Sequence, residues 1–486
     1  MRLICAEGDF ADQVSRLAER AILADFFANP SQSGAGRLTA VFEAPPDPGW
    51  LVLSTELSVP SFRSVTPRLH AASWYEREIW EMHGLEPVGH PGLYRLRRQA
   101  EAQERRPSPA ATHVHGPSEQ ARAMVRGQGV FQLPLGPVRS GPYEAGQFLF
   151  ESGGEDIVMV SPRLGYKLRR VEELAVGQTP QQALILAERI AGTSTFANGL
   201  AFVQAAERAL GIAVSGPARL ARSLFNELER LHSHFADLSR VAEAAGLLVA
   251  AAQYGVIREE VLQACSGLAG HRYLRGILAV GGLADDVQPT ALAELPLQLE
   301  AWSAKAARLA ELLETTSTFI DRVETTGILP PDYASQHNLA GPVARASGAD
   351  RDCRRDHPYA GYDHLAVTVP VKPEGDALAR TRLRLEEVAE ALNLVRQLSR
   401  DELPASSLGP AHAAPGCALG WAEAPGGQTL HHLTIDAQGR IATWRARPPA
   451  FVNWHPFADA CASGNNLTDY PVLEASFAIS HAEFDR

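Results

Sequence analysis

Cysteine is scarce and scattered in this 486-residue chain, with five in all. Cys5, Cys265, Cys353, Cys417 and Cys461 contain no C-x-x-C or C-x-x-H pair. Zinc ribbons and locally ligated iron–sulfur clusters are therefore without a signature. A chain this long and this poor in cysteine also gives no disulfide framework. Lysine stands only at Lys167, Lys305 and Lys372, and the net charge is −11, which argues against a nucleic-acid binder. No run approaches the ~20 apolar residues that span a bilayer. The longest candidate, Ala244 to Val256, is interrupted by Gln253 and Tyr254. Glu7 and Asp9 stand where a secretory leader needs its apolar stretch, so a cytoplasmic location is expected. The phosphate-cradling patterns G-x-x-x-x-G-K-[ST] and G-x-G-x-x-G are both missing, which leaves direct nucleotide binding without support. No internal repeat is evident.

What is present is an ordinary globular composition, 45% hydrophobic and 21% charged, with length for about three domains. Residues 99–129 run through Glu, Gln, Arg, Pro and His without apolar periodicity and read as a linker. Before it, residues 1–98 read as a small α+β domain. Phe10 to Phe27 has helical spacing, and Gly36 to Phe42 and Trp50 to Val59 read as strands. After it, residues 130–486 read as a mainly α-helical domain with β elements at both ends of its sequence. Strands are expected at Gly129–Leu135, Gly146–Phe150, Ile157–Ser161 and within Cys417–Ala446. Helices are expected over Thr179–Leu210, Ser215–Gly246, Pro289–Val323 and Asp376–Leu398. The fold class is α+β.

Several polar clusters have a plain reading. His232 and His234 are two apart on a helix and project about 200° apart, which suits packing better than a shared metal. His431 and His432 alternate across a strand. Arg345, Asp352, Arg354, Arg355 and Asp356 read first as a salt-bridged loop, with a charged cavity wall as the functional alternative.

Two motif sets carry a resemblance. Glu76-Arg77-Glu78-Ile79-Trp80-Glu81-Met82-His83-Gly84, followed by Gly89-His90-Pro91, resembles the signature of the 30-kDa subunit of respiratory complex I and its hydrogenase relatives. It departs at His83, where an apolar residue is usual. Along the larger part come Gly136-Pro137, Arg189-Ile190-Ala191-Gly192, Glu227 to His234, Arg345-Ala346-Ser347-Gly348, Asp356-His357-Pro358-Tyr359, Glu423-Ala424-Pro425-Gly426 and Asp485-Arg486. This order is similar to the complex I 49-kDa subunit. It is more similar still to the large subunits of group 4 [NiFe] hydrogenases of the formate hydrogenlyase and hydrogenase-4 type, which fuse both parts in one chain.

The resemblance implies a subunit of a membrane-associated oxidoreductase. Large subunits of this kind dock an iron–sulfur small subunit and sit with antiporter-like membrane subunits on the inner face of the cytoplasmic membrane. Electrons would reach this chain from a partner's cluster, fed by an NADH module, a formate dehydrogenase or ferredoxin. Glu76, Arg77, Glu78, His90 and Pro91 are the implied docking motif. Hydrogenases hold nickel and iron through two C-x-x-C pairs, because soft thiolates can bridge two metals. Here Ala191 and Ser194 stand in place of the first pair, Asn198 in place of a histidine, and Ser480 and Glu483 in place of the second pair. The expectation is no [NiFe] centre in this chain, no autonomous hydrogenase activity and no other metal. A hard-metal site from His481, Glu483 and Asp485 is set aside in favour of a solvated acidic terminus. The quinone-binding histidine and tyrosine of complex I correspond to Tyr143 and Pro180. A quinone is the first candidate substrate, in a pocket near Arg139, Tyr143, Arg189 and Asp485. Ending at Asp485-Arg486, without the tail that hydrogenases cleave, resembles complex I. The competing reading is a structural or regulatory subunit with a decayed active site.

Overall fold

The computed structural model describes residues 2–30, 34–44, 49–97, 125, 127–139, 144–400 and 415–486. Most of residues 99–129, and Tyr143, lie outside the described residues. The fold is α+β.

The N-terminal part is a four-stranded sheet in the order Arg2–Ile4, Gly49–Leu57, Gly36–Ala44, Ile22–Asn29. The first pair is parallel and the others antiparallel. The expected helix over Phe10 to Phe27 is half right. It runs only from Phe10 to Ala18, and the chain re-enters as the strand Ile22–Asn29. That strand is buried on both faces, so it lacks the alternation that marks a half-exposed strand. A second helix, Ser73–His83, carries the Glu76–His83 motif and ends at Gly84, whose φ of 69° closes the helix in the left-handed conformation.

The larger part is built round the helix Gly216–Ala244. The Ser215 hydroxyl accepts from the Ala218 N–H to cap it, and the helix is buried over most of its circumference. The helices Thr195–Leu210, Leu248–Ala269 and Ala377–Leu398 pack on it, and Pro289–Thr315 packs on the last two. The expected Thr179–Leu210 helix is two helices, Pro180–Ala187 and Thr195–Leu210, broken by a turn that holds Ala191 and Ser194. Likewise Pro289–Val323 breaks at Thr316. The apolar run Ala244 to Val256 is not continuous helix: it spans the end of Gly216–Ala244, a turn and the start of Leu248–Ala269.

Two three-stranded antiparallel sheets flank the bundle, Val130–Leu135 with Gln147–Gly153 and Asp156–Arg163, and Gly416–Ala424 with Gly427–Ile435 and Ile441–Arg447. The second lies on Thr195–Leu210 so closely that a Cβ at Gly420 would sit 2.0 Å from the Ala201 carbonyl oxygen. One hydrophobic cluster runs from Phe10, Phe26, Phe42 and Ile79 through Phe148 to Trp454, Phe457 and Phe477, joining the N-terminal part to the C-terminal helices. All five cysteines are free. Among the described residues no helix is long and apolar enough to cross a membrane.

Candidate functional site

The C-terminal segment turns back into the protein. The helix Tyr470–Phe477 ends at Ala478, whose φ of 54° is left-handed, and Ser480 then caps a last short helix, His481–Phe484. The Ser480 hydroxyl accepts from the Glu483 N–H at 3.3 Å, which aims the Glu483 side chain inward. It meets Ser194, the residue before the helix Thr195–Leu210: Ser194 Oγ donates to Glu483 Oε1 at 2.5 Å. Asn198 Nδ2 donates to the Ser194 carbonyl at 2.9 Å and to its hydroxyl at 3.0 Å. The Asn198 oxygen in turn accepts from the Thr429 hydroxyl at 2.9 Å and from His431 Nε2 at 3.4 Å. His431 Nδ1 takes the Trp444 N–H at 3.2 Å, so Nε2 carries the ring proton. A hydrogen-bond chain thus links Glu483 to the C-terminal sheet.

Glu483 is buried, and its other oxygen accepts from the Ala450 N–H at 3.3 Å. Burial pushes its carboxyl up to about 7 against the opposing pull of the Ser194 hydrogen bond. Glu229, on the central helix, caps the neighbouring helix terminus, accepting from the Phe196 N–H at 2.5 Å and the Ala197 N–H at 2.8 Å. Burial raises it to about 8. Two carboxyls near neutrality therefore flank Ser194. Burial also acts on Asp237, but the charge of Arg240, the contact with His234 and the charge of Arg384 hold it down at about 2. Ser194, Ser233, Asp237, Asn453, Ser480 and Glu483 face a small cavity with room for about one water. Its donors are carboxylates, hydroxyls and an amide, with no sulfur.

Ser194, Ser480 and Glu483, three of the four positions at which the resemblance implies lost ligands, line that cavity. Ala191 is one turn away in the apolar core, its carbonyl accepting from the Thr195 hydroxyl at 3.1 Å. Arg189 is exposed, and its carbonyl is engaged by Arg169 Nη1 at 2.6 Å. Arg139 forms a two-pronged pair with Glu474, both contacts at 2.5 Å. Asp485 accepts from the Lys167 N–H at 2.9 Å. Pro180 is the first residue of its helix, after a Thr179–Gln182 capping box. Arg169 brings the Arg189 and Asp485 segments together, donating to the Arg189 carbonyl at 2.6 Å and from Nε to the Asp485 carbonyl at 3.3 Å, while Arg139 is paired with Glu474.

The expected solvated terminus is a correction: His481, Glu483 and Asp485 are all buried. They also point apart, since His481 packs on Trp454, with ring centroids 4.6 Å apart, and Asp485 turns to Lys167. The Arg345–Asp356 segment is salt-bridged as expected, with most of its ion pairs buried and Arg355 exposed. Arg345 pairs with Glu387 and Glu423 at 2.8 Å, Arg354 pairs with Glu227 at 3.0 Å, and all are buried.

Of the implied docking residues, Glu76, Arg77 and Glu78 face inward. Glu76 accepts from Ser64 Oγ and Thr66 Oγ1, both at 2.6 Å. Arg77 donates to the Tyr94 carbonyl at 2.8 Å. Glu78 is ringed by guanidinium groups, with Arg97 at 2.5 Å, Arg445 at 2.6 Å and Arg486 at 2.9 Å. Burial opposes its charge, yet Arg445, Arg486 and Arg97 hold its carboxyl far below the usual range. His90 Nδ1 accepts from the Gly92 N–H at 3.0 Å, and Pro91 is exposed beside it.

Two further residues shape the site without a signal of their own in the sequence. Glu229 lies within the Glu227–His234 motif, but only the fold sets it on the Thr195 helix terminus. Arg169 donates to the Ile190 carbonyl at 2.7 Å and also reaches the carbonyl of Ala482, tying the turn that holds Ser194 to the helix that holds Glu483. No spacing signals that contact.

Residues 247–416 match the respiratory-chain NADH dehydrogenase 49 Kd subunit family, residues 27–110 the 30 Kd subunit family, and residues 169–239 the nickel-dependent hydrogenase family. Formate hydrogenlyase subunit 5 of Escherichia coli (strain K12) is 30% identical over 461 residues, covering 90% of this chain and 79% of its own length. Hydrogenase-4 component G of the same organism is 29% identical, with 90% and 78% covered. An NADH-quinone oxidoreductase subunit of Roseiflexus sp. (strain RS-1) is 27% identical over 73% of this chain and 98% of its own. In fold, the chain is similar to a chain of the membrane-bound sulfane sulfur reductase, an archaeal respiratory membrane complex. That match has a TM-score of 0.68 at 21% identity and covers 74% of this chain and 99% of that one.

Proposed function

This chain belongs to the family of group 4 hydrogenase large subunits of the formate hydrogenlyase and hydrogenase-4 type, with fused complex I 30-kDa-like and 49-kDa-like parts, and from that premise we propose that it is a subunit of a membrane-associated oxidoreductase that works without a [NiFe] centre of its own. The observation that carries this reading is the Ser194–Glu483 hydrogen bond, which occupies the inherited ligand positions. A nickel–iron pair calls for soft, bridging thiolates. Here one position is an alanine, one hydroxyl is spent on a carboxyl, another caps a helix, and the space admits about one water. The residues do not fit the metal pair.

In this reading the chain docks an iron–sulfur small subunit and is held by antiporter-like subunits on the inner face of the cytoplasmic membrane. Electrons reach a quinone-type acceptor from the partner's cluster. A quinone head group exceeds the cavity, so the acceptor meets this chain outside it. What Glu483 and Glu229 supply is proton exchange, since groups poised near 7 and 8 can give and take a proton at neutral pH.

The test is gentle-detergent purification of the tagged chain from its host's membranes, with mass spectrometry of its companions and nickel analysis. An iron–sulfur small subunit, antiporter-like proteins and nickel far below one per chain are expected. A lone soluble protein, or nickel near one per chain, overturns the reading. The small size of the cavity also favours a second reading, a structural subunit with a decayed site. In that case Glu483→Gln leaves quinone turnover of the purified complex unchanged, whereas the first reading expects a loss of about 10-fold or more.

A further inference from the structure

Three histidines from distant parts of the sequence meet at the seam between the N-terminal part and the C-terminal helices. His70 lies in the short turn before Ser73–His83, His337 ends the helix Pro331–Gln336, and His455 lies in the helix Ala450–Cys461. One ring nitrogen from each lies within 4.8 Å of the other two. The ring centroids are 4.7 Å apart for His70 and His337, 5.0 Å for His70 and His455, and 5.4 Å for His337 and His455. Among the described residues this is the only group of three or more potential metal-binding side chains whose ligand atoms come this close.

The surroundings prepare the nitrogens. His337 Nδ1 lies 2.9 Å from the Tyr333 carbonyl oxygen. A carbonyl only accepts, so the proton is on Nδ1 and the Nε2 lone pair is free. Fixing one ring nitrogen on a backbone carbonyl is the usual way a metal-binding histidine is oriented. The Tyr333 ring stacks on His337 at 3.9 Å and 15°, and its hydroxyl is tied to the Asp459 carboxylate. Trp74 stacks on His455 at 5.5 Å. The Arg77 charge also reaches His455, but its guanidinium is drawn onto the Tyr94 carbonyl and ring. His337 is buried, His455 half-buried and His70 exposed, so the group opens to solvent on the His70 side.

We propose that His70, His337 and His455 form a three-imidazole site for a divalent transition-metal ion, with zinc the best fit. Imidazole suits zinc, bonds of about 2.0–2.1 Å complete a tetrahedral site, and three protein ligands leave the solvent-facing fourth position to water. Metal binding draws the three nitrogens inward from their present separations of up to 4.8 Å, and His70, being exposed, is the ring most able to turn. The ion pins the N-terminal part to the C-terminal helices. The site does not rest on the reading of Ser194 and Glu483.

The test uses the full chain, stripped with chelator and titrated with cobalt(II). The expected result is one equivalent bound, with the visible ligand-field absorption of a low-coordinate ion, displaced by one equivalent of zinc. Because loss of an outer-shell partner alone costs about 10–100-fold in affinity, His70→Ala and His337→Gln each weaken binding by at least about 10-fold. His70 is exposed, so His70→Ala keeps the metal-free melting temperature, and zinc raises the melting temperature of the wild type and not of this variant. A cobalt spectrum unchanged by either substitution, or no stoichiometric binding by the wild type, overturns the proposal.

Discussion

The hydroxyl of Ser194 donates to the carboxylate of Glu483 across 2.5 Å and 289 residues of sequence, and both side chains are buried. Ser194→Ala removes the donor and leaves a buried carboxyl oxygen unsatisfied, which costs about 1–3 kcal/mol. Since that hydrogen bond favours the ionised form, the Glu483 carboxyl titrates higher in the variant than about 7. Urea unfolding checks the first expectation, and infrared titration of the protonated-carboxyl band checks the second.

Glu483 also gives stability a pH slope. Its folded-state pKa is raised from 4.5 to about 7, so between those values the folded protein keeps a proton that the unfolded chain has released. Stability therefore falls as pH rises through that window and levels off above it. This one group contributes roughly 3 kcal/mol across the window. Glu483→Gln removes that component, so the variant gains on the wild type between pH 5 and pH 8 in paired denaturant titrations. Equal slopes would show that the carboxyl ionises freely.

Glu78 is the shared counter-charge of Arg97, Arg445 and Arg486. Glu78→Ala strands buried guanidinium groups and is expected to cost about 3–5 kcal/mol. Differential scanning fluorimetry should show a large drop in melting temperature. Limited proteolysis should show the N-terminal part cut first.

Gly341 has a φ of 64°, and a Cβ there would lie 2.2 Å from the Gly426 carbonyl oxygen. Gly341→Ala combines left-handed strain of about 1–2 kcal/mol with overpacking of about 1–3 kcal/mol. Because Gly426 lines the Ser194–Glu483 cavity, the variant should also shift the Glu483 carboxyl band.

Local chemistry is readable from the sequence wherever one segment carries its own signals. Ser215, Pro217 and the three-or-four spacing of Leu220 to Leu238 mark the central helix, and the helical pattern over Asp376–Leu398 is the helix Ala377–Leu398. The strand Ile22–Asn29 is not readable, because burial on both faces erases its alternation. The break at Ala191–Ser194 does carry poor helix formers, Gly192, Thr193 and Ser194, but the apolar spacing on either side of them reads as one continuous helix. The inward turn of the last residues depends on Arg169 reaching Ile190 and Ala482, a contact between segments that no local spacing encodes. For the same reason the residues round Glu78 show in the sequence only as a motif, not as a clasp.

That clasp bears on how the molecule is assembled. Glu78 comes from the N-terminal part, while Arg445 and Arg486 come from the far end of the chain. As separate polypeptides the two parts would each carry an unbalanced, desolvating charge surface and would have to find one another at ambient concentration. Joined covalently, they meet at an effective concentration on the order of millimolar. Their stoichiometry is fixed at one to one, and neither part can be exchanged for a copy from another complex.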